Sequence, residues 1–151
     1  MVQLSRSNST TSNTFYLNLY DEMTATTYSP LISLTSQLTK KSKVFRPLSV
    51  DTSTHTARYI GLLFEILTSA ASENLVGGEV FLGSTDYPLG FYDLVIYQNS
   101  NNSNLDPDSA VKRIFTGLAN LSATNAVAPV TYSEYTTNDS DTESVYITNE
   151  I

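Results

Sequence analysis

The chain has 151 residues, of which 40% are hydrophobic and 15% charged, a size typical of one domain. Serine and threonine, twenty of each, take the place of many charged residues. Because the chain has no cysteine, disulfide frameworks, thiolate nucleophiles and cysteine-ligated metals are excluded. No apolar run approaches the about 20 residues of a membrane span, and the first dozen residues show no signal peptide. We therefore expect no membrane partner.

The formal net charge of −7 argues against nucleic-acid binding, which requires clustered cations. The only cluster is formed by four residues between two strand-like segments: Lys40, Lys41, Lys43 and Arg46. This arrangement is typical of a connecting turn with solvated lysines. We expect no nucleic-acid partner.

The N-terminal half predicts one extended arm and four strands. Residues 1–13 are polar and indicate an arm that is disordered or ordered by a partner. From Thr14 to Tyr20 apolar residues alternate with polar residues and tyrosines, which predicts a strand. Further strands are predicted for 31–38, 43–50 and 56–67. Pro47 places the third of these four at a sheet edge or a bulge, because proline lacks the donor that a central strand needs.

In the second half, residues 70–74 predict a turn or one helical turn, and 79–83 a strand. Residues 91–98 have apolar side chains on both faces, which indicates a central strand or one covered by a neighbouring subunit. Residues 110–121 fit both a helical stripe and a strand, and the pattern does not separate these two. The acidic tail ends in Val145, Tyr146 and Ile147, which could dock on a partner as an added strand.

Six or seven short strands, with turn signals at intervals of roughly 8–12 residues, are typical of an all-β sandwich. We predict a single immunoglobulin-like or jelly-roll-like β-sandwich of about seven strands over residues 14–122. An extended N-terminal arm (1–13) and an extended acidic C-terminal arm (123–151) are expected on either side.

Candidate catalytic and metal-binding residues have ordinary structural interpretations. His55, the single histidine, lies in a polar stretch without the Gly-x-Ser-x-Gly elbow of a serine hydrolase. The acidic pairs and triplets at 106–108 and 139–143 lack the glycine and distal acid of an EF-hand loop. Three strand-borne acids, Glu65, Glu79 and Asp93, fit an outer sheet surface better than a cleft for glycoside hydrolysis. We expect no enzymatic activity, no cofactor and no metal.

Tyrosine is in excess, with ten residues and no tryptophan. Tyrosine is favoured at protein interfaces because its rigid ring is apolar and its hydroxyl remains solvated. The residues that we expect to bind a partner are Tyr87, Phe91, Tyr92, Tyr97, Tyr132, Tyr135 and Tyr146. Because aromatic platforms also bind sugars, a carbohydrate-binding host-adhesion module around 87–97 is an alternative.

Three motifs carry a resemblance to a known family: GEVFL at 78–82, GFYDLVIYQ at 90–98 and NLDP at 104–107. Together with LSVDTSTHTARY at 48–59, they resemble small virion proteins of tailed bacteriophages of Bacteroidetes hosts, including crAss-like phages. The resemblance covers about residues 14–122 and leaves both arms unexplained. In those relatives the segment after NLDP continues as a strand, which favours a strand at Ile114 to Ser122.

The resemblance implies a non-enzymatic structural role in the phage particle. Such a protein is a capsid-associated auxiliary protein or a component of the neck and tail. Its expected partners are capsid or tail subunits and further copies of itself. Its expected location is the virion, assembled in the cytoplasm of the bacterial host, which agrees with the absence of cysteine.

Overall fold

A computed structural model describes residues 1–19, 29–52, 59–124, 133–135 and 145–147. Eleven strands appear in these ranges, and nine of them form two sheets packed against each other. The predicted all-β sandwich is therefore confirmed, with nine strands instead of about seven. The strands are β1 (Val2–Arg6), β2 (Thr11–Leu17), β3 (Ser29–Ser36), β4 (Ser42–Phe45), β5 (Ser49–Asp51), β6 (Ile60–Leu67), β7 (Glu79–Phe81), β8 (Gly90–Asn99), β9 (Lys112–Ala123), β10 (Ser133–Tyr135) and β11 (Val145–Ile147).

The strand order is that of an immunoglobulin sandwich. One sheet has the order β1-β9-β8-β3-β4. The other has the order β2-β6-β5, and β7 also pairs with β6, next to β5 along the same edge. These correspond to the A′GFCC′ and BED strands of an immunoglobulin domain. β1 pairs in parallel with β9, and the pairs β9–β8, β8–β3 and β3–β4 are antiparallel. Of the two predicted architectures, the topology is the immunoglobulin-like one.

Tyr92 provides a second immunoglobulin feature near the start of β8. Its hydroxyl donates a hydrogen bond to the carbonyl of Pro88, four residues upstream, at 2.6 Å. This is the geometry of the tyrosine corner, which ties the start of strand F to the preceding connection. The side chain is completely buried. Burial is the main reason that the pKa of Tyr92 is raised to about 12, and the neighbouring Tyr87 raises it further.

The core lies between the inner faces of the two sheets. Phe64 of β6 forms an edge-to-face contact with Phe15, with 6.1 Å between ring centroids, and a tilted contact with Phe45 of the opposite sheet at 5.0 Å. Tyr92, Leu94 and other alternate residues of the strands complete the core. Each fully buried large side chain contributes roughly 1.5–3 kcal/mol to the hydrophobic free energy of folding.

The segment predicted as one strand at 43–50 consists of two strands in different sheets. β4 lies at the edge of the five-stranded sheet and β5 at the edge of the four-stranded sheet, with the buried Pro47 between them. Since proline has no N–H to donate, it is suited to the corner where the chain leaves one ladder and enters the other. The prediction of an edge position is confirmed, and that of a continuous strand is wrong.

Of the ambiguous segment 110–121, residues 112–121 belong to β9, which follows a short 3₁₀ helix at Pro107–Ser109. Its register against β8 shifts between Ile96 and Tyr97, so that Ile114 is an extra residue. This β-bulge turns both Ile114 and Phe115 towards the core. The bulge therefore explains why the apolar spacing resembles that of a helix.

The prediction that residues 1–13 form an extended arm outside the domain is wrong. β1 pairs with β9 over five residues, and Leu4 is 2% exposed in the core. Leu4 is the one fully buried residue of this short polar strand, so the strand contains no apolar run that would reveal it in the sequence. β2 also begins before the predicted domain start at Thr14.

Of the predicted C-terminal arm, residues 125–132, 136–144 and 148–151 lie outside the described residues. The backbone of 133–135 pairs antiparallel with that of 145–147. The segment expected to be available for docking thus has a strand partner within the chain.

The smaller predicted elements are confirmed. Residues Ala70–Ser72 form one 3₁₀ turn, β8 covers the strand predicted at 91–98, and β7 forms the first three residues of the strand predicted at 79–83. β8 lies between β9 and β3, which is the central position that its two apolar faces predicted. Of the strand predicted at 56–67, residues 60–67 form β6. In the described part of the chain no helix has the length and apolar character that crossing a membrane requires.

Candidate functional site

Three exposed apolar side chains meet at one end of the five-stranded sheet. Leu38 is 79% exposed, Phe91 is 52% exposed and Leu89 is 45% exposed. Together with Ser36, Gln37 and Gly90 they line one shallow depression of about 360 Å³. We call Leu38, Leu89 and Phe91 the apolar patch. Exposed apolar residues that line one depression are candidates for an interaction surface, whereas single ones are normal.

A tight turn between β3 and β4 places Leu38 at the patch. The amide of Ser36 donates to the carbonyl of Lys41 at 2.9 Å, and the hydroxyl of Ser36 accepts from the amide of Thr39 at 3.2 Å. Lys40 adopts a positive φ of 59° to close the turn. Leu38 is therefore at the tip of the turn, where it cannot reach the core.

The loop before β8 places Leu89 and Phe91 on the other side of the depression. Gly83, with φ of 89°, donates from its amide to the carbonyl of Tyr87 at 2.6 Å, which makes the loop compact. Asp86 connects this loop to the β3–β4 turn, because its carbonyl accepts from Thr39 Oγ1 at 2.6 Å and its carboxylate pairs with Lys41 at 2.7 Å. The patch is thus built on two loops that are bonded to each other.

The polar groups around the patch are largely paired within the chain. The Gln37 side chain donates to Asp93 Oδ1 at 2.8 Å, and the Gln37 amide donates to the carbonyl of Phe91 at 3.0 Å. The hydrogen bond from Lys41 to Asp86 raises the pKa of the lysine. A partner can therefore cover the apolar side chains without separating these polar pairs from each other.

The residues predicted to bind a partner do not form one site. Phe91 belongs to the apolar patch, and Tyr97 lies on the outer face of the same sheet, partly exposed. The prediction for Tyr92 is wrong, because its side chain is in the core. Tyr132 lies outside the described residues, and only the backbone of Tyr135 and Tyr146 is described.

Tyr87 makes its contacts within the chain. Its hydroxyl donates to the carbonyl of Ser42 at 3.2 Å, and Lys43 Nζ lies 4.4 Å from the ring centroid. Of the aromatic residues in the range 87–97 where the sequence suggested a sugar platform, Tyr87 and Tyr92 therefore do not offer two free ring faces. One of the two rings is buried, and the other is covered on one face by a lysine.

Sequence reasoning missed Leu38 and Leu89. The available signal is that each is a large apolar residue inside a turn sequence, at Gln37-Leu38-Thr39 and Pro88-Leu89-Gly90. A turn places its side chains towards solvent, so an isolated leucine there does not serve the core.

The residues considered for catalysis or metal binding have ordinary structural positions where the structure describes them. Asp106 Oδ1 accepts from the amide of Asp108 at 3.0 Å and caps the 3₁₀ helix. Glu65 and Glu79 are neighbours on the outer face of the four-stranded sheet, and Asp93 is on the other sheet. Within the described ranges no three acidic or histidine side chains are grouped to hold a metal. His55 and residues 139–143 lie outside those ranges.

Comparison of the chain with protein-family models, with curated proteins and with solved structures found no match.

Proposed function

We propose that this protein is a non-enzymatic structural component of a bacteriophage virion, and specifically a capsid-associated auxiliary protein. The observation that carries the proposal is the apolar patch of Leu38, Leu89 and Phe91. A surface of three large apolar side chains on bonded loops fits a protein partner. The motif resemblance described above supplies the kind of partner, which is a capsid or tail subunit.

The patch is suited to docking because the two loops that carry it are held together before a partner binds. The bonds from Thr39 and Lys41 to Asp86 fix the two loops relative to each other. A rigid surface loses less conformational entropy on association than a loop that must be ordered. The three apolar side chains then serve as anchors, and the Lys41–Asp86 pair lies on the polar rim.

The copy number of the protein in purified particles tests this function. Quantitative mass spectrometry against the major capsid protein measures it directly. On the order of hundreds of copies would support decoration of a symmetric capsid lattice, whereas about a dozen would place the protein in the neck or tail. Absence of the polypeptide from the particles would overturn the virion function altogether.

A patch variant tests the docking surface itself. Phages that encode Leu38→Asp together with Phe91→Asp are expected to assemble particles that lack most copies of the protein, because buried unpaired carboxylates oppose docking. Val111→Asp is the matched control. Val111 is 55% exposed but immediately precedes β9 and bonds to Gln98, at the opposite end of the sheet. Equal incorporation of both variants would contradict docking through the patch.

A further inference from the structure

The backbone edges of the two sheets differ in how they are closed. At the β4 edge, the carbonyl of Ser42 accepts from Tyr87, and the amide of Arg46 donates to the carbonyl of Leu75 at 2.8 Å. At the β1 edge, the Asn13 side chain accepts from the Ser5 amide at 2.7 Å and donates to the Ser5 carbonyl at 3.0 Å. Such contacts occupy donors and acceptors that would otherwise pair with another chain.

The edge of β7 is closed by an ion pair. Glu73 Oε1 accepts from the amide of Phe81 at 2.9 Å, and Lys43 Nζ donates to the carbonyl of Phe81 at 3.1 Å. The two charged groups are themselves 2.5 Å apart and largely buried. Beside β7 on the same edge, β5 presents only three residues.

The outer edge of β2 is different. In β6, the carbonyl of Leu63 and the amide of Glu65 form hydrogen bonds on the side of β5 and β7. The backbone groups of the intervening residues of β6 therefore point towards β2. In β2 it is consequently Ser12 and Thr14 that direct their backbone groups away from the sheet. Over the described part of the chain, these groups of Ser12 and Thr14 have no hydrogen-bond partner.

In the part of the chain that the structure describes, this edge is a strand position of the fold that no strand occupies. β2, β6 and β5 correspond to strands B, E and D, and in the immunoglobulin fold strand A lies beside strand B. The described residues place no strand there. β2 is seven residues long and contains no proline and no charged residue, so none of the usual obstacles to strand addition is present.

We propose that two copies of this chain associate by antiparallel pairing of β2 with β2, which makes the four-stranded sheets of the copies continuous. Two molecules of net charge −7 repel each other, and this repulsion is weakest where the contact strand is uncharged. Pairing centred on Asn13 places Ser12 opposite Thr14 of the second copy and Thr14 opposite Ser12, and such hydroxyl-bearing pairs are favourable cross-strand neighbours. The proposal depends on the edge alone and is independent of the virion function.

Cross-linking tests the contact. Thr14→Cys introduces the only thiol into a cysteine-free chain, and a bismaleimide with a span of about 8 Å covers direct and diagonal cross-strand neighbours. We expect a covalent dimer in high yield. Thr116→Cys, exposed on the outer face of the other sheet, is the control and should remain monomeric. Equal yields of dimer from both variants, or none from Thr14→Cys, would overturn the proposal.

Sedimentation equilibrium tests the association without a cross-linker. The wild-type mass is expected to rise from 16.6 kDa towards twice that value as the concentration increases. Thr14→Pro removes the outward N–H but no bond to β6, and Thr14→Lys places a charge at the contact, so both should remain monomeric. Thr14→Val should dimerise. A wild-type monomer at all concentrations, or a dimer that persists in Thr14→Lys, would refute β2 pairing.

Discussion

The edges at β7 and β2 belong to the same four-stranded sheet but differ in their outward backbone groups. Those of Phe81 in β7 are hydrogen-bonded, whereas those of Ser12 and Thr14 in β2 have no partner among the described residues. At β7 a largely buried lysine and glutamate occupy the backbone groups of Phe81. At β2 the side chains are uncharged, and Ser12 and Thr14 are exposed to solvent. The difference shows that edge closure in this molecule depends on side chains contributed by distant segments. Among the described residues, none of these side chains bonds to the outward backbone groups of Ser12 and Thr14.

The largest loss of stability is expected when the ion pair at the edge of β7 is removed. Glu73→Ala leaves Lys43 as a largely buried cation without its carboxylate and leaves the Phe81 amide without an acceptor. We expect a loss of about 3 kcal/mol in the free energy of unfolding, measured by urea denaturation with an unchanged m-value. The double variant Lys43→Met with Glu73→Leu should lose much less, because no unpaired charge remains. A double variant as unstable as Glu73→Ala would contradict this explanation.

A smaller loss is expected at the β1 edge. Asn13→Ala removes both side-chain bonds to Ser5, and the residue is only 6% exposed. Two backbone groups then lack partners, which costs about 2 kcal/mol in urea denaturation. Ser12→Ala, one residue away on the exposed face, serves as the control and should change the free energy by less than about 0.5 kcal/mol. Similar losses in both variants would show that Asn13 does not close the edge.

The tyrosine corner gives an intermediate test and a pH dependence. Tyr92→Phe removes the hydrogen bond to Pro88 and should cost about 1 kcal/mol near neutral pH. In the folded wild type the pKa of Tyr92 is about 12, above its ordinary value of 10.0. The unfolded chain therefore releases this proton first, so the stability contributed below pH 10 is lost as the pH rises towards 12. Urea midpoints measured between pH 10 and 12 should fall more steeply for the wild type than for Tyr92→Phe, and parallel curves would contradict the assignment.

The smallest effect is expected at the open edge. Thr14→Val keeps the backbone of β2 and a β-branched side chain, and Thr14 is exposed. Its free energy of unfolding should therefore change by less than about 0.5 kcal/mol when both proteins are compared at the same low concentration. A loss as large as that of Asn13→Ala would indicate that the outer side of β2 is packed within the monomer.

Much of the fold was predictable because strand alternation is a local property. The two-residue period over 91–98 identified β8 and its central position, and Pro47 indicated an edge. β9 was ambiguous because a bulge at Ile114 interrupts the period. β1 was missed because only Leu4 in it is fully buried and its partner strand lies more than one hundred residues later in the chain.

The candidate site was less predictable than the fold. Phe91 was identified from its strand, but Leu38 and Leu89 reach the patch through turns, where no periodicity reports the direction of a side chain. Tyr92 was expected at the surface because tyrosine is common at interfaces, and the sandwich instead uses it as a corner residue.

The amino-acid sequence by itself determined the all-β class, the position of most strands and the exclusion of cysteine chemistry, because these depend on composition and on neighbouring residues. The tertiary structure decided the pairing of β1 with β9, the closure of three edges and the exposure of the apolar patch. These features join residues such as Lys43 and Glu73, or Ser5 and Asn13, whose partners are selected by the packing of two sheets and not by any local pattern.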